Sequence, residues 1–144
     1  MPLASFFTKV RAASALAIVC SLSCGELTPG PENFAGAYLP SVWLVTPAGQ
    51  PQMDVLLKGG SLSITITSTK TTTGQLSLPA SVTGTTPLLQ SMSGEAVVTG
   101  STLKFSQPAD TFVRDLTWTV KRDTLEVVNQ VVNGTTFTIK MPKH

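Results

Sequence analysis

Apolar and polar residues alternate along much of the chain after residue 34. Apolar residues recur at every second position in residues 61–67, 101–106 and 135–141, and most residues between them are Ser or Thr. A two-residue period places alternate side chains on opposite faces of a strand. The pattern therefore predicts a sheet with one buried face and one face toward water.

Turn residues separate these segments at short intervals. Four pairs are predicted to form or begin tight turns: Gly59-Gly60, Thr99-Gly100, Arg122-Asp123 and Asn133-Gly134. The first pair is expected to be a two-residue hairpin between strands at residues 53–58 and 61–67. Residues 69–90, rich in Ser, Thr, Gly and Pro, are predicted to form a long loop that contains one strand, residues 75–78.

This spacing of strands and turns predicts an all-β fold. Short connections between consecutive strands favour a meander, and hence a single antiparallel up-and-down barrel of about eight strands. A β-sandwich is the alternative architecture. The predicted barrel domain spans residues 34–144.

A different pattern precedes this domain. Lys9 and Arg11 are followed by an uncharged, apolar stretch at residues 12–22, which is the order found in a signal peptide and too short to span a bilayer. We predict a signal-peptide helix within residues 1–23 and an extended tether at residues 24–33. A buried N-terminal helix of the domain is the alternative.

Cys24 follows two small residues, Ser21 and Ser23, which flank Leu22. This arrangement resembles the lipobox of bacterial lipoproteins, in which the Cys after a small residue becomes diacylated. The resemblance implies lipidation at Cys24 and a membrane-anchored location at the cell envelope. Ser21 departs from the Leu, Val or Ile usual three residues before that Cys. The two serines also fit ordinary secretory cleavage, so a secreted or periplasmic soluble protein is the alternative.

Charge and the titratable residues exclude several classes of function. Removal of the signal peptide takes away Lys9 and Arg11 and leaves eight basic against eight acidic residues, without the basic patch that nucleic-acid binding needs. The single histidine, His144, ends the chain, so neither a His-based catalytic triad nor a zinc ligand set is expected. We predict a non-enzymatic protein with no catalytic residues, metal or cofactor.

Arg114 breaks the alternation in residues 111–121, which are predicted to form one strand. Its parity matches that of the apolar Leu116 and Trp118. Arg114 and Trp118 are therefore candidate interior ligand contacts, because a guanidinium fork can bind a carboxylate. Alternatively, Arg114 lies at the strand end and reaches solvent, or a bulge near Asp115 shifts the alternation of inward and outward side chains. Trp118 would then only fill the core.

The beginning of the domain, Phe34-Ala35-Gly36-x-Tyr38 with Gly49-Gln50-Pro51 downstream, is similar to the opening of bacterial lipocalin-like lipoproteins. Lipocalins carry Gly-x-Trp in the first strand, where this chain has Tyr38. The resemblance implies a small barrel that binds an apolar ligand. The expected function is an exported, lipid-anchored, non-enzymatic β-barrel domain that binds a small apolar molecule. The alternative is a structural or interaction protein with a fully packed barrel or sandwich and no pocket.

Overall fold

The computed structural model describes residues 34–144, so the predicted signal peptide, the tether and Cys24 lie outside the described residues. These residues form mainly antiparallel β-structure with two helices of four residues each. The strands are β1 (Gly36–Tyr38), β2 (Val42–Thr46), β3 (Met53–Asp54), β4 (Ser61–Ile66), β5 (Thr71–Leu78), β6 (Leu88–Ser91), β7 (Gly94–Thr99), β8 (Thr102–Ser106), β9 (Trp118–Lys121), β10 (Thr124–Val132) and β11 (Thr135–Pro142); the helices are α1 (Ala80–Thr83) and α2 (Phe112–Asp115).

All strands belong to one curled, barrel-like sheet in the order β1-β4-β5-β7-β8-β9-β10-β11-β2-β3, with β6 also paired to β5. Every pairing is antiparallel, and most strands pair with their neighbours along the chain. The curl brings the first strand to the last, where Tyr38 forms a bridge with Lys143 and the His144 N–H donates to the Ala37 carbonyl at 2.9 Å. The predicted sequential connection of strands is confirmed.

Several strands are parts of longer ones. β6 and β7 pair with β5 in one continuous register, in which Ser91 lies opposite Gln75 and Glu95 opposite Thr71. A break at residues 92–93 separates them. β10 contains a bulge at Asn129, which has a φ of 49°. Asparagine tolerates this left-handed conformation better than most residues, so the bulge falls where the sequence permits it.

The curled sheet is incomplete at one end. β9 pairs with only residues 124–126 of β10, and with only two residues of β8. Residues 107–117, which contain α2 and are called here the plug segment, bridge this gap. At its start the Gln107 side chain donates to the Met92 carbonyl at 2.9 Å, and at its end the Thr117 N–H donates to Gln130 at 2.6 Å.

The inward side chains form one continuous core. Leu62, Ile64 and Ile66 are each 2% exposed or less, which confirms the buried parity of the alternation in β4. The hairpin at Asn133-Gly134 is also confirmed: φ is positive at both residues, as a two-residue type I′ turn requires.

The predicted hairpin at Gly59-Gly60 is wrong. Only Met53 and Asp54 of residues 53–58 form a strand, and they pair with β2 rather than with β4. The Asp54 carboxylate accepts hydrogen bonds from the N–H groups of Leu56 and Leu57 at 2.9 and 3.1 Å. Such side-chain to backbone bonds favour a turn over a continued strand, and the chain turns immediately after Asp54.

Two other sequence predictions need correction. Residues 111–121 do not form one strand, because residues 112–115 are α2 and β9 starts at Trp118. Residues 69–90 are more regular than the predicted long loop. They contain the eight-residue β5, the helix α1 and most of β6. A helix of one turn cannot be recognised from the sequence pattern, because it provides too few positions to define a period.

Candidate functional site

The interior of the curled sheet is filled by apolar side chains. Six inward residues from four strands and the α2–β9 connection are each 2% exposed or less: Leu62, Ile64, Phe105, Leu116, Trp118 and Ile139. The indole of Trp118 packs edge-on against Phe105, with ring centroids 5.8 Å apart. Its Nε1 donates to the Val113 carbonyl of the plug segment at 3.2 Å. The predicted burial of Leu116 and Trp118 is confirmed.

Aromatic rings hold the plug segment over this interior. Phe112 of α2 stacks on Phe137 at a centroid distance of 4.9 Å and packs against Trp43 at 5.9 Å. Val113, beside it, is fully buried. Aromatic pairs of this kind add about 0.5–1.5 kcal/mol beyond area burial. The plug segment is therefore part of the hydrophobic core rather than a loosely attached loop.

Three buried polar atoms in this region have no hydrogen-bond partner among residues 34–144. They are Trp43 Nε1, Gln107 Oε1 and Thr111 Oγ1. Trp43 contacts Phe112, and the other two residues belong to the plug segment. A buried polar group without a partner costs about 1–3 kcal/mol. Residues of the plug segment and of β2 thus carry buried polar atoms with unmet hydrogen-bonding capacity.

Arg114 lies on α2 and its side chain is 37% exposed. It forms ion pairs with Asp110 and, at 3.7 Å, with Asp115. The inward parity expected for Arg114 assumed a strand, and the helix removes that premise. The structure does not bring Arg114 and Trp118 together: one is paired with carboxylates near the surface, while the other is in the core.

Within residues 34–144, Tyr38 is the one residue with a resolved pKa shift. Its hydroxyl donates to the Phe34 carbonyl at 3.0 Å, and its side chain is fully buried. Burial raises the pKa of Tyr38 to about 12, and the negative charge of Asp123 adds to the increase. This hydrogen bond ties the last residue of β1 to Phe34, which lies just before the strand.

Two depressions lie on the surface rather than in the interior. One, of about 550 Å³, is formed by the β2–β3 connection and the turn that follows β3; it is lined by residues 50–54, Leu57 and Lys58. The other, of about 270 Å³, lies between β9 and β10 and is lined by Thr117, Thr119, Lys121, Glu126, Val127, Val128 and Gln130. Neither includes Arg114 or Trp118.

Gln130 was not among the site residues predicted from the sequence. The side chain of Gln130 accepts from the Thr117 N–H at 2.6 Å and donates to the Thr117 carbonyl at 3.0 Å. One primary amide thus makes the pair of bonds that a neighbouring strand would make with Thr117. The only signal in the sequence was Asn129, which interrupts the apolar run at residues 127–132.

Two further kinds of feature bear on function in residues 34–144: metal-binding clusters and membrane-spanning helices. Within this range, no group of three or more His, Cys, Asp or Glu side chains is placed to hold a metal ion. No helix in the same range has the length and apolar character needed to cross a bilayer.

The fold and interior described above stand without a relative to compare them with. No protein-family model, curated protein or solved structure matches this chain.

Proposed function

We propose that this protein is an exported, non-enzymatic β-barrel domain at the bacterial cell envelope, held to a membrane by lipid on Cys24, which acts through its outer surface. The observation that carries the proposal is the filled interior, in which the six inward side chains named above leave 2% or less of their surface exposed. Ligand-binding barrels keep a cavity of roughly 300–1,000 Å³. A packed interior favours an interaction or structural role over a carrier role.

The architecture we propose is a closed up-and-down barrel of eight strands, with a lipocalin-like order. In this interpretation β1 and β2 form one strand, β3 and β4 a second, and β6 and β7 a third. The first of these strands pairs with β11 through β2, and Tyr38 bridges Lys143 just beyond β11. On its other side it contacts β4 through residues 36–38. Contacts on both sides of one strand are what barrel closure requires.

Export and lipidation rest on the sequence before residue 34. A lone thiol at the start of an exported chain is open to oxidation, and acylation would remove that hazard. We expect the protein isolated from bacterial membranes to carry acyl mass on Cys24. The Cys24→Ser variant should lose that mass and leave the membrane fraction or remain unprocessed. Processed protein that begins elsewhere without lipid would contradict the anchor and indicate simple secretion.

The packed interior is tested by native mass spectrometry of the protein purified under mild conditions. We expect the mass of the processed chain with no bound small molecule. A Leu89→Ala variant, changed at an exposed position outside both surface depressions, is the matched control for purification losses. A bound apolar molecule at equal stoichiometry in both proteins would overturn the proposal that the interior is closed.

One observation favours a second function, the binding of a small apolar molecule under the plug segment. The unpaired Trp43 Nε1 and Thr111 Oγ1 would offer hydrogen bonds to a polar group on such a molecule. For this function the plug segment must move out of the interior. Phe112→Ala should then increase uptake of a hydrophobic fluorescent dye relative to the parent, whereas a packed domain would only lose stability.

A further inference from the structure

Several segments that are distant in the sequence meet at the end of the curled sheet where the described chain begins. Gly36 of β1 pairs with Ile66, the last residue of β4, so the β4–β5 turn lies beside the start of β1. The Lys143 N–H donates to the Asp123 carbonyl at 2.7 Å, which brings the residues after β11 to the β9–β10 turn. This end of the sheet, called here the entry end, consists of residues 34–38, 66–71, 95, 121–124 and 143–144.

Basic residues predominate at the entry end. It carries four basic and two acidic residues, whereas the rest of residues 34–144 carries four of each. The excess positive charge of the described domain therefore lies entirely at this end. Its charged residues are Lys70, Lys121, Arg122, Lys143, Asp123 and Glu95.

The four basic side chains are not neutralised by ion pairs. Lys70, Lys121 and Arg122 are exposed. Lys143 is half-buried because its stem lies on Gly36, where any side-chain carbon would overlap the Lys143 Cε. Every ion pair formed within residues 34–144 joins charges outside the entry end. The positive groups of the entry end are thus available to an anionic partner.

The chain before residue 34 leaves the domain at the entry end. Phe34 is 1% exposed, and its carbonyl accepts a hydrogen bond from the Tyr38 hydroxyl at 3.0 Å. Cys24 precedes Phe34 by ten residues, and a segment of that length spans at most about 35 Å. A lipid on Cys24 would therefore hold the entry end within about that distance of the membrane.

The plug segment lies at the opposite end of the sheet. Phe112 stacks on Phe137 near the start of β11, whereas Lys143 follows the last residue of that strand. The eight residues of β11 extend over roughly 25 Å. Because the reach of a ten-residue segment exceeds this length, such a connection alone does not determine which end of the domain faces the membrane.

We propose that the entry end docks on the anionic phospholipid surface of the membrane that holds the Cys24 lipid. Ammonium and guanidinium groups form strong charge-assisted hydrogen bonds with phosphate, and anionic lipids attract basic segments close to the surface. The membrane is the occupant because the chain that would carry the lipid leaves the domain among these unpaired charges. Docking turns the plug segment away from the membrane. This inference rests on the proposed lipid anchor.

Energy transfer to the membrane surface tests this orientation in the processed, lipidated protein. The chain has two cysteines: Cys20 leaves with the predicted signal peptide, and the sulfur of Cys24 would carry the lipid. Ser68→Cys therefore accepts a donor dye at the entry end, and Gln52→Cys accepts one at the opposite end. Each protein is placed in phosphatidylcholine vesicles with an acceptor dye on the headgroups, with or without phosphatidylglycerol.

Transfer from residue 68 should exceed transfer from residue 52 and should rise when phosphatidylglycerol is present. The rise should be lost in about 1 M salt, where the Debye length is about 3 Å. Equal transfer from residue 68 in neutral and anionic vesicles would overturn the proposal, because contacts other than charge would then set the orientation.

Two double variants test the residues. Lys70→Glu with Lys121→Glu should abolish the rise, because it reverses two of the four positive charges at the entry end. Lys58→Glu with Lys104→Glu is the matched control: it changes the net charge equally, at exposed positions outside the entry end, and should keep the rise. An equal loss of the rise in both double variants overturns the proposal.

The mass of the processed protein separates this inference from the proposed function. A protein that carries acyl mass and stays with both kinds of vesicle, but gives equal transfer from residues 68 and 52, overturns the docking alone and leaves the anchor standing. A protein without acyl mass that stays with neither kind of vesicle overturns the anchor, and the docking that rests on it.

Discussion

At the scale of single residues, the face of the strand on which a side chain lies decides how much that side chain contributes to stability. In β9 the residues alternate between buried Trp118 and Val120 and exposed Thr119 and Lys121. Neighbouring residues of similar strand preference therefore differ greatly in their contribution to the core. Tyr38 is a second case, because it combines full burial with a single hydrogen bond to a backbone carbonyl.

Replacement of Trp118 by alanine should lower the free energy of unfolding by about 3–5 kcal/mol, since it leaves a large cavity beside Phe105. Thr119→Ala, one residue away on the exposed face, should change it by about 0.5 kcal/mol or less. Chemical denaturation of both variants measures the difference. Equal stability of the Trp118→Ala protein and its parent would mean that this indole does not pack in the core.

Ionisation of Tyr38 should make the fold sensitive to strongly alkaline pH. The pKa of Tyr38 is about 12 in the folded protein and about 10 when unfolded, so the neutral phenol stabilises the fold fully below pH 10. That contribution is lost as the pH rises from 10 to about 12, by at most about 1.4 kcal/mol per pH unit. Denaturation across this window should show a smaller loss for Tyr38→Phe than for the parent.

The sequence contains one tyrosine, so absorbance of the tyrosinate form follows Tyr38 directly. The folded protein should titrate well above the unfolded chain in strong denaturant. Coincident titration curves would contradict the burial of this hydroxyl. A Tyr38→Phe protein whose stability falls as steeply as the parent's would assign the alkaline loss to other groups.

At the scale of elements, close approach of strand backbones restricts particular positions. Gly74 in β5 has a φ of 140°, and a side-chain carbon there would overlap the carbonyl oxygen of Ser63 in β4. Gly100, in the turn between β7 and β8, has a φ of 60° but open space around it. Substitutions at these two glycines therefore distinguish the cost of backbone strain alone from the cost of strain combined with steric overlap.

Gly100→Ala should cost about 1–2 kcal/mol, the strain of a left-handed conformation for a residue with a side chain. Gly74→Ala should cost clearly more, because strain and overlap with a neighbouring strand add together. Thermal melts of the two variants under one set of conditions compare them. Equal losses would show that the β4–β5 pair relaxes to make room for the added methyl group.

At the scale of the whole molecule, one core connects the sheet and the plug segment. Trp43 of β2 and Trp118 of β9 are both buried in this core, and each contacts the plug segment, through Phe112 and Val113 respectively. A domain of this size with one core generally unfolds in a single cooperative step. The plug segment should then unfold together with the sheet.

Unfolding followed by far-ultraviolet circular dichroism and by tryptophan fluorescence should therefore give coincident transitions. Circular dichroism reports the strands, while fluorescence reports the two indoles beside the plug segment. An earlier fluorescence transition would show that the plug segment leaves before the sheet unfolds. Phe112→Ala, which removes the stack on Phe137, is the variant most suited to separate the two transitions.

The sequence by itself determined the β-class, the buried parity of β4 and β11, and the turn at Asn133-Gly134. These features depend on residues close together in the chain: a two-residue apolar period, or a pair that readily adopts positive φ. The inward assignment of Leu116 and Trp118 was also correct, because Leu116, two residues before β9 begins, keeps the alternation of the buried residues in β9.

Only the tertiary structure decided the short helix α2, the two-residue β3, the filled interior and the point at which β9 stops pairing with β10. Arg114 illustrates the reason: its parity was correct for a strand, but packing of Phe112 against Trp43 and Phe137 favoured a helical turn. The interior was undetermined because packed and hollow barrels require the same alternation of residues. The end of the β9–β10 pairing was hidden because the bonds to Thr117 beyond it come from the side chain of Gln130, thirteen residues away in the chain.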